Sequence, residues 1–133
     1  MIFADTSFWI GLMIPRDSRH RQSVELLARH GEQRVLTSNH VRGETWTLLN
    51  RRVGHWLGVA FLDRLARSAR LELAFVSEEL ERVALDWLRH HDEREYSFVD
   101  ATSFALMQWL GIHEALAFDG DFAAAGFVEL RSS

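Results

Sequence analysis

Five carboxylates of this 133-residue chain stand where one run of residues gives way to the next. Asp5 follows the apolar run Ile2-Phe3-Ala4, and Asp119 and Asp121 follow the run that ends at Phe118. Glu44 lies about one turn into a helix started by Ser38-Asn39, beside the apolar positions Val41 and Leu48. Asp100 falls in the first turn of a helix opened by Ser97. In an open parallel sheet, ligands bind beyond the carboxyl ends of the strands. Asp5 and Asp119 belong to that edge, and Glu44 and Asp100 join them if their helix starts face it. Carboxylates gathered in one place repel one another and are costly to bury without cations. Such a group implies hard cations held by oxygen ligands, of the Mg²⁺ or Mn²⁺ kind. Asp121 is a second-tier member of the set.

Each acid also has a purely structural reading. Asp5 can serve as an Asx-type cap for the next helix, and Ser97-Phe98-Val99-Asp100 matches a capping box. Asp119-Gly120 is an ordinary turn pair, Asp121 can cap the turn before Phe122, and Glu44 can be solvated at the edge of its stripe. No single carboxylate decides between the two.

Composition removes several other chemistries. All 15 basic residues are arginine, so a phosphate loop of the Walker type, a protein kinase and a Schiff-base enzyme each lack their lysine. With no cysteine there is no disulfide framework, thiolate metal site or thiol nucleophile. The seven histidines include His90-His91 but show no H-E-x-x-H spacing, and no serine sits in G-x-S-x-G. A net charge of −4 argues against a basic face for duplex binding. The start, Met1 to Asp5, lacks a basic leader, and no apolar run approaches the roughly 18 residues of a membrane span. A soluble, cytoplasmic protein is expected.

The elements that must position the acids alternate short apolar runs with longer amphipathic ones. Strands are predicted at Ile2–Ala4, Arg34–Thr37, Leu71–Val76, Glu114–Phe118 and Phe127–Leu130. Helices are predicted from Phe8 to Met13, from Asp17 to Ala28, from Ser38 to about Val53 and from Trp56 to Ala69. Two more follow Ser77, as far as His91, and Ser97, as far as Leu110, where Gly111 closes the helix. Strands separated by helical crossovers indicate an α/β fold around a parallel sheet, in one domain over residues 1–133.

With the acids in place, their surroundings become familiar. Ile2-Phe3-Ala4-Asp5-Thr6-Ser7 resembles the opening motif of PIN domains, and Thr37 to Glu44 resembles the second motif of that family. Tyr96 to Ala101 is similar to the third, and Ala117 to Phe122, closing with Ala125-Gly126-Phe127, to the fourth. Four motifs in order cover nearly the whole chain. The small size is most similar to the VapC-type toxins of toxin–antitoxin pairs.

The resemblance implies a three-layer sandwich, with a mostly parallel sheet of four to five strands flanked by helices. It implies a ribonuclease using Mg²⁺, with Mn²⁺ able to substitute, that hydrolyses RNA phosphodiesters with metal-activated water. By motif match, Asp5, Glu44, Asp100 and Asp119 are the catalytic and metal-binding carboxylates, with Asp121 assisting. Thr6 would orient Asp5 through its hydroxyl. Arg42, at the start of the Glu44 helix, can contact substrate phosphate or stand as an ordinary surface arginine. Single-stranded or looped RNA suits a compact acidic pocket better than duplex. A cognate antitoxin and a homodimer are the implied partners, with apolar residues between Gly54 and Arg70 as a contact face. The competing readings are a non-catalytic PIN-like binding module and an acid-cluster phosphotransfer protein. The latter normally needs the lysine this chain lacks.

Overall fold

A parallel strand buried on both faces is written as an unbroken apolar run, and Ile2-Phe3-Ala4 is one. In the computed structural model, which describes residues 1–132, this run is β1 (Ile2–Ala4), with every residue buried. The chain continues through α1 (Thr6–Met13), α2 (His20–Arg29), β2 (Val35–Ser38), α3 (Asn39–Arg52), α4 (His55–Arg67) and β3 (Leu71–Ala74). It then forms α5 (Glu78–Arg89), α6 (Phe98–Leu110), β4 (Glu114–Leu116), α7 (Asp121–Ala124) and β5 (Val128–Glu129). The sheet order is β3-β2-β1-β4-β5, and all its pairings are parallel. Phe3 stands opposite Leu36 on one side and Ala115 on the other.

This order creates a topological switch. From β1 the chain builds outward through β2 and β3, then crosses to start again at β4 on the opposite flank. The crevice between β1 and β4 at their carboxyl ends is where such sheets bind ligands. Asp5 stands at its mouth, its backbone N–H bonded to the Leu116 carbonyl at 3.0 Å.

Helix starts are fixed by short polar side chains. Ser38 accepts from the Val41 N–H at 3.0 Å and Ser77 from the Leu80 N–H at 3.2 Å, each meeting one of the unpaired donors of a first turn. Gly111, at φ 70°, ends α6 in the left-handed conformation that a side chain disfavours. Trp9 of α1 is fully buried, and its indole N–H donates to Thr37 Oγ1 at 3.3 Å. The Thr37 hydroxyl donates in turn to the Ala4 carbonyl at 2.9 Å, joining α1, β2 and β1 through two bonds. Beyond β4, Phe122 stacks on Phe3 with 6.1 Å between centroids, so α7 helps to cover β1.

Besides shifts of one or two residues at element ends, as in α1 and β5, the structure departs from the sequence reading in three places. The first is at residues 121–124, which form a short helix where a turn is expected. The Glu129 carboxylate accepts from the Gly120 and Ala123 N–H groups at 3.3 and 3.0 Å and so caps α7 from a residue distant in the pattern. The second is the start of α2, which begins at His20. Asp17 accepts from the Arg19 N–H at 2.8 Å and forms an Asx turn ahead of it. The third is that β3 and β4 each end two residues early.

The end of α2 depends on one distant side chain. Arg70, just before β3, donates to the Leu27 and Gln33 carbonyls at 2.9 and 2.8 Å and also to the His30 carbonyl. Charge-assisted bonds to backbone carbonyls at and just beyond a helix end are among the stronger ones. Arg70→Ala is expected to lower unfolding free energy by about 2 kcal/mol. Urea denaturation checks this, with Arg70→Lys expected to recover only part of the loss.

Candidate active site

The carboxyl edge of the sheet opens into a cleft of about 500 Å³. Asp5, Glu44, Asp100, Asp119 and Asp121 all line it, although they come from four separate stretches of chain. The condition set by the sequence, that the helix starts carrying Glu44 and Asp100 face the same edge, is met.

For the two most buried acids, the structural and chemical roles coincide. Asp5 is the N-cap of α1, and its Oδ2 accepts from the Ser7 N–H at 3.3 Å and the Ser7 hydroxyl at 3.0 Å. Asp100 closes the capping box of α6. Its Oδ2 accepts from the Ser97 N–H at 3.0 Å, while its own N–H donates to Ser97 Oγ at 2.9 Å. In each case these cap bonds fall on Oδ2. The caps lock the two side chains in orientation.

Electrostatics sets these two apart. Asp5 is 3% exposed, and burial pushes its carboxyl up to about 7, with the charges of Asp119 and Asp100 adding to the rise. Burial also pushes Asp100 up to about 6, with Asp121 and Asp119 contributing, against the lowering effect of its Ser97 bonds. Glu44, half-buried on α3, makes no hydrogen bond or ion pair with the described residues. Asp119 is exposed at the rim. Asp121 does not cap α7. Its Oδ1 accepts from Arg94 Nε at 3.0 Å, and the same guanidinium reaches the Asp119 carbonyl at 3.2 Å.

Two expected supports are placed differently. Ser7 Oγ, not Thr6 Oγ1, bonds to the Asp5 carboxylate. Thr6 lines the cleft with its hydroxyl buried and without a hydrogen-bond partner. Arg42 lies outside the cleft, its guanidinium 5.6 Å from the centre of the Phe75 ring, because its place on α3 turns it towards the end of β3. The sequence reading missed Arg19, Arg52, Phe118, Asp17 and Glu95, all of which line the cleft. Arg52 was accessible from spacing, since Glu44, Leu48 and Arg52 repeat every four residues. Arg19 and Phe118 carry no such signal.

The site fits a hard divalent cation on its own chemistry. Its ionisable ligands are carboxylates, with neither thiol nor imidazole among the lining residues, and an orphaned hydroxyl stands beside them. No three such side chains close into a tight cage among the described residues. An open set of this kind suits an ion such as Mg²⁺, which keeps several of its waters.

Comparison with known proteins agrees with this geometry. The PIN domain family matches residues 2–128. The chain is a PIN domain. VapC20 of Mycobacterium tuberculosis strain H37Rv, a 23S rRNA-specific endonuclease, is 58% identical over 132 residues, which is 98% of each protein. A VapC ribonuclease of Archaeoglobus fulgidus is 27% identical over 123 residues, 90% of this chain and 77% of that one. The crystal structure of Mycobacterium tuberculosis VapC20, described as a sarcin–ricin loop cleaving toxin, superposes with a TM-score of 0.93 at 54% identity. It covers 98% of this chain and 99% of that one. The expected architecture is present, with five strands, all parallel, between helices.

Both raised carboxyls bind their protons more tightly folded than unfolded. Their contribution to stability is complete below the ordinary value of 3.8 and is lost as pH rises through about 6 and about 7. In this PIN domain without added cations, Asp5→Asn is expected to flatten the fall in melting temperature between about pH 5 and about pH 8. Mg²⁺ is expected to raise the melting temperature of the native chain at the upper pH and to have little effect at the lower. Scanning fluorimetry at the two pH values reads both effects, and an equal Mg²⁺ shift at each would contradict the assignment.

Proposed function

We propose that this PIN domain is a divalent-cation-dependent endoribonuclease, the toxin of a toxin–antitoxin pair. The observation that carries the reading is the meeting of Asp5, Glu44, Asp100 and Asp119 in one cleft at the β1/β4 switch. The whole-length identity to a 23S rRNA-specific endonuclease supports it and points to a looped ribosomal RNA as substrate. An exposed RNA loop can enter a cleft that a duplex cannot, since its strand is already splayed.

Mg²⁺, with Mn²⁺ able to substitute, would be held by Asp5 and Asp100 together with Glu44 and Asp119. A cation bound there lowers the pKa of coordinated water and stabilises charge on phosphoryl oxygens. The chain's own residues supply position. Ser7 and Ser97 hold the Asp5 and Asp100 carboxylates at fixed angles. Arg94 braces the turn carrying Asp119 by donating to its carbonyl. Glu44 presents a carboxylate with no internal partner, available to a ligand or to a water.

The partners follow the same reading. On α4, Leu57 and Phe61 are buried in the core, whereas Trp56, Val59 and Leu62 remain exposed, with Trp56 at 67%. This apolar face suits an antitoxin or a second copy of the chain. No helix among the described residues is long and apolar enough to cross a membrane, which accords with a cytoplasmic site of action.

Asp5→Asn is expected to remain folded by circular dichroism while cleavage of a ribosomal RNA loop falls by at least about 100-fold. Retained RNA binding without cation-dependent cleavage by the native chain would favour the binding-module reading instead. Light scattering after size exclusion is expected to give twice the chain mass of 15.4 kDa.

A further inference from the structure

A polyanionic substrate meets an unfavourable field in this cleft. Seven of its sixteen lining residues are acidic and two are basic. Resident cations must offset part of that field before a phosphate chain can settle.

Four arginines stand in or beside the cleft, and two of them are committed elsewhere. Arg94 pairs with Asp121 at 3.0 Å, and Arg131 pairs with Glu129 at 2.8 Å. The two that line the cleft, Arg19 and Arg52, form no ion pair with any described residue. Their charge is available to a ligand.

Arg19 is also held in register with the acids. Its guanidinium lies 5.1 Å from the centre of the Phe118 ring, and one of its nitrogens donates to Gln22 at 3.3 Å. The Phe118 N–H donates to Ser7 Oγ at 3.2 Å, and the Ser7 hydroxyl donates to Asp5 Oδ2 at 3.0 Å. One ring and two hydrogen bonds thus connect the guanidinium to the Asp5 carboxylate. Arg52 is the last residue of α3, in line with Glu44 and Leu48 on the helix face that lines the cleft. Eight residues of helix separate it from Glu44 by about 12 Å. That distance removes it from the reacting bond but keeps it on the same strand of substrate.

We propose that Arg19 and Arg52 are the phosphate-binding residues of this site, Arg19 beside the scissile linkage and Arg52 further along the strand. The proposal rests on the endoribonuclease reading. Guanidinium forks match phosphate oxygens and stay charged at any working pH. Contacts of this kind set affinity and salt dependence without reading the base sequence.

The experiment measures binding of a fluorescent RNA hairpin to Asp5→Asn protein by anisotropy, across a salt series. Arg19→Ala and Arg52→Ala are each added to that background, with Arg51→Ala as the neighbour outside the cleft. Each cleft substitution is expected to weaken binding about tenfold and to reduce the log–log salt slope by about 0.7, whereas Arg51→Ala does neither. Arg19→Lys and Arg52→Lys are expected to restore the slope, which distinguishes lost charge from lost folding. In the native background KM is expected to rise with kcat within about twofold. Unchanged affinity and slope in both alanine variants, with native cleavage intact, would overturn the phosphate assignment and leave the nuclease reading standing. RNA binding without cleavage by the native chain would overturn the nuclease reading. Loss of both overturns both.

Discussion

Mutual repulsion among carboxylates at the carboxyl edge of the sheet is the constraint to which the rest of this molecule responds. Asp5 and Asp100 are almost completely buried, and the charge of Asp100 adds to the raised proton affinity of Asp5. Left to themselves, such side chains would rotate away from one another or take up protons. Neither can rotate freely, because each is tied by one oxygen to the first turn of its own helix. The N-cap at Asp5 and the capping box at Asp100 thus act as clamps against repulsion. Helix caps contribute on the order of 1 kcal/mol apiece. Here they also fix the direction of the second oxygen, which makes an ordinary local motif serve a long-range arrangement.

The topology supplies what local motifs cannot. Asp5 and Asp119 are far apart in sequence and become neighbours because β1 and β4 are adjacent strands that run the same way. Had β4 added beyond β3, the switch between β1 and β4 would be absent, and Asp119 would stand three strands from Asp5. The buried bridge from Trp9 through Thr37 to the Ala4 carbonyl holds α1 against the middle of the sheet. Asp5, between β1 and α1, therefore has rigid elements on both sides. Preorganisation of this kind matters most for a site whose charges oppose their own assembly.

Much of this was legible in the residues. The apolar runs marked the strands, and Ser38, Ser77, Ser97 and Gly111 marked helix ends where the structure has them, because capping is decided within a few residues. Five of the seven acids lining the cleft were also recoverable, since each lies at an element boundary or within about two turns of one. What failed did so for a common reason. The helix at residues 121–124 depends on a cap from Glu129, and the approach of Arg19 to the site depends on a ring at Phe118. Neither contact has a sequence period. The choice between Thr6 and Ser7 as the Asp5 partner turned on which of two adjacent hydroxyls faces the carboxylate, which helix phase decides and residue type does not. Arg42 stands off the cleft for the same cause, as its position on α3 faces Phe75 and the four-residue stripe through Glu44 leads to Arg52 instead.

The placement of arginines explains why the acids of this region are not equivalent. Glu129 and Asp121 each have a guanidinium within hydrogen-bonding distance, and Glu129 also accepts two backbone N–H groups. Their charges are spent on holding α7 and β5 in place. Asp5, Glu44, Asp100 and the Asp119 carboxylate receive no arginine from the described residues. An all-arginine basic complement makes this division stable, because no guanidinium loses its charge near neutral pH. Asp121 is thereby tied to a structural partner while it adds charge to the rim, unlike the Asp119 carboxylate in the same turn. The remaining carboxylates of the site have no arginine partner among the described residues. The divalent cation proposed for this cleft would complete them, and would thereby couple occupancy of the cleft to the stability of its walls through the same four side chains.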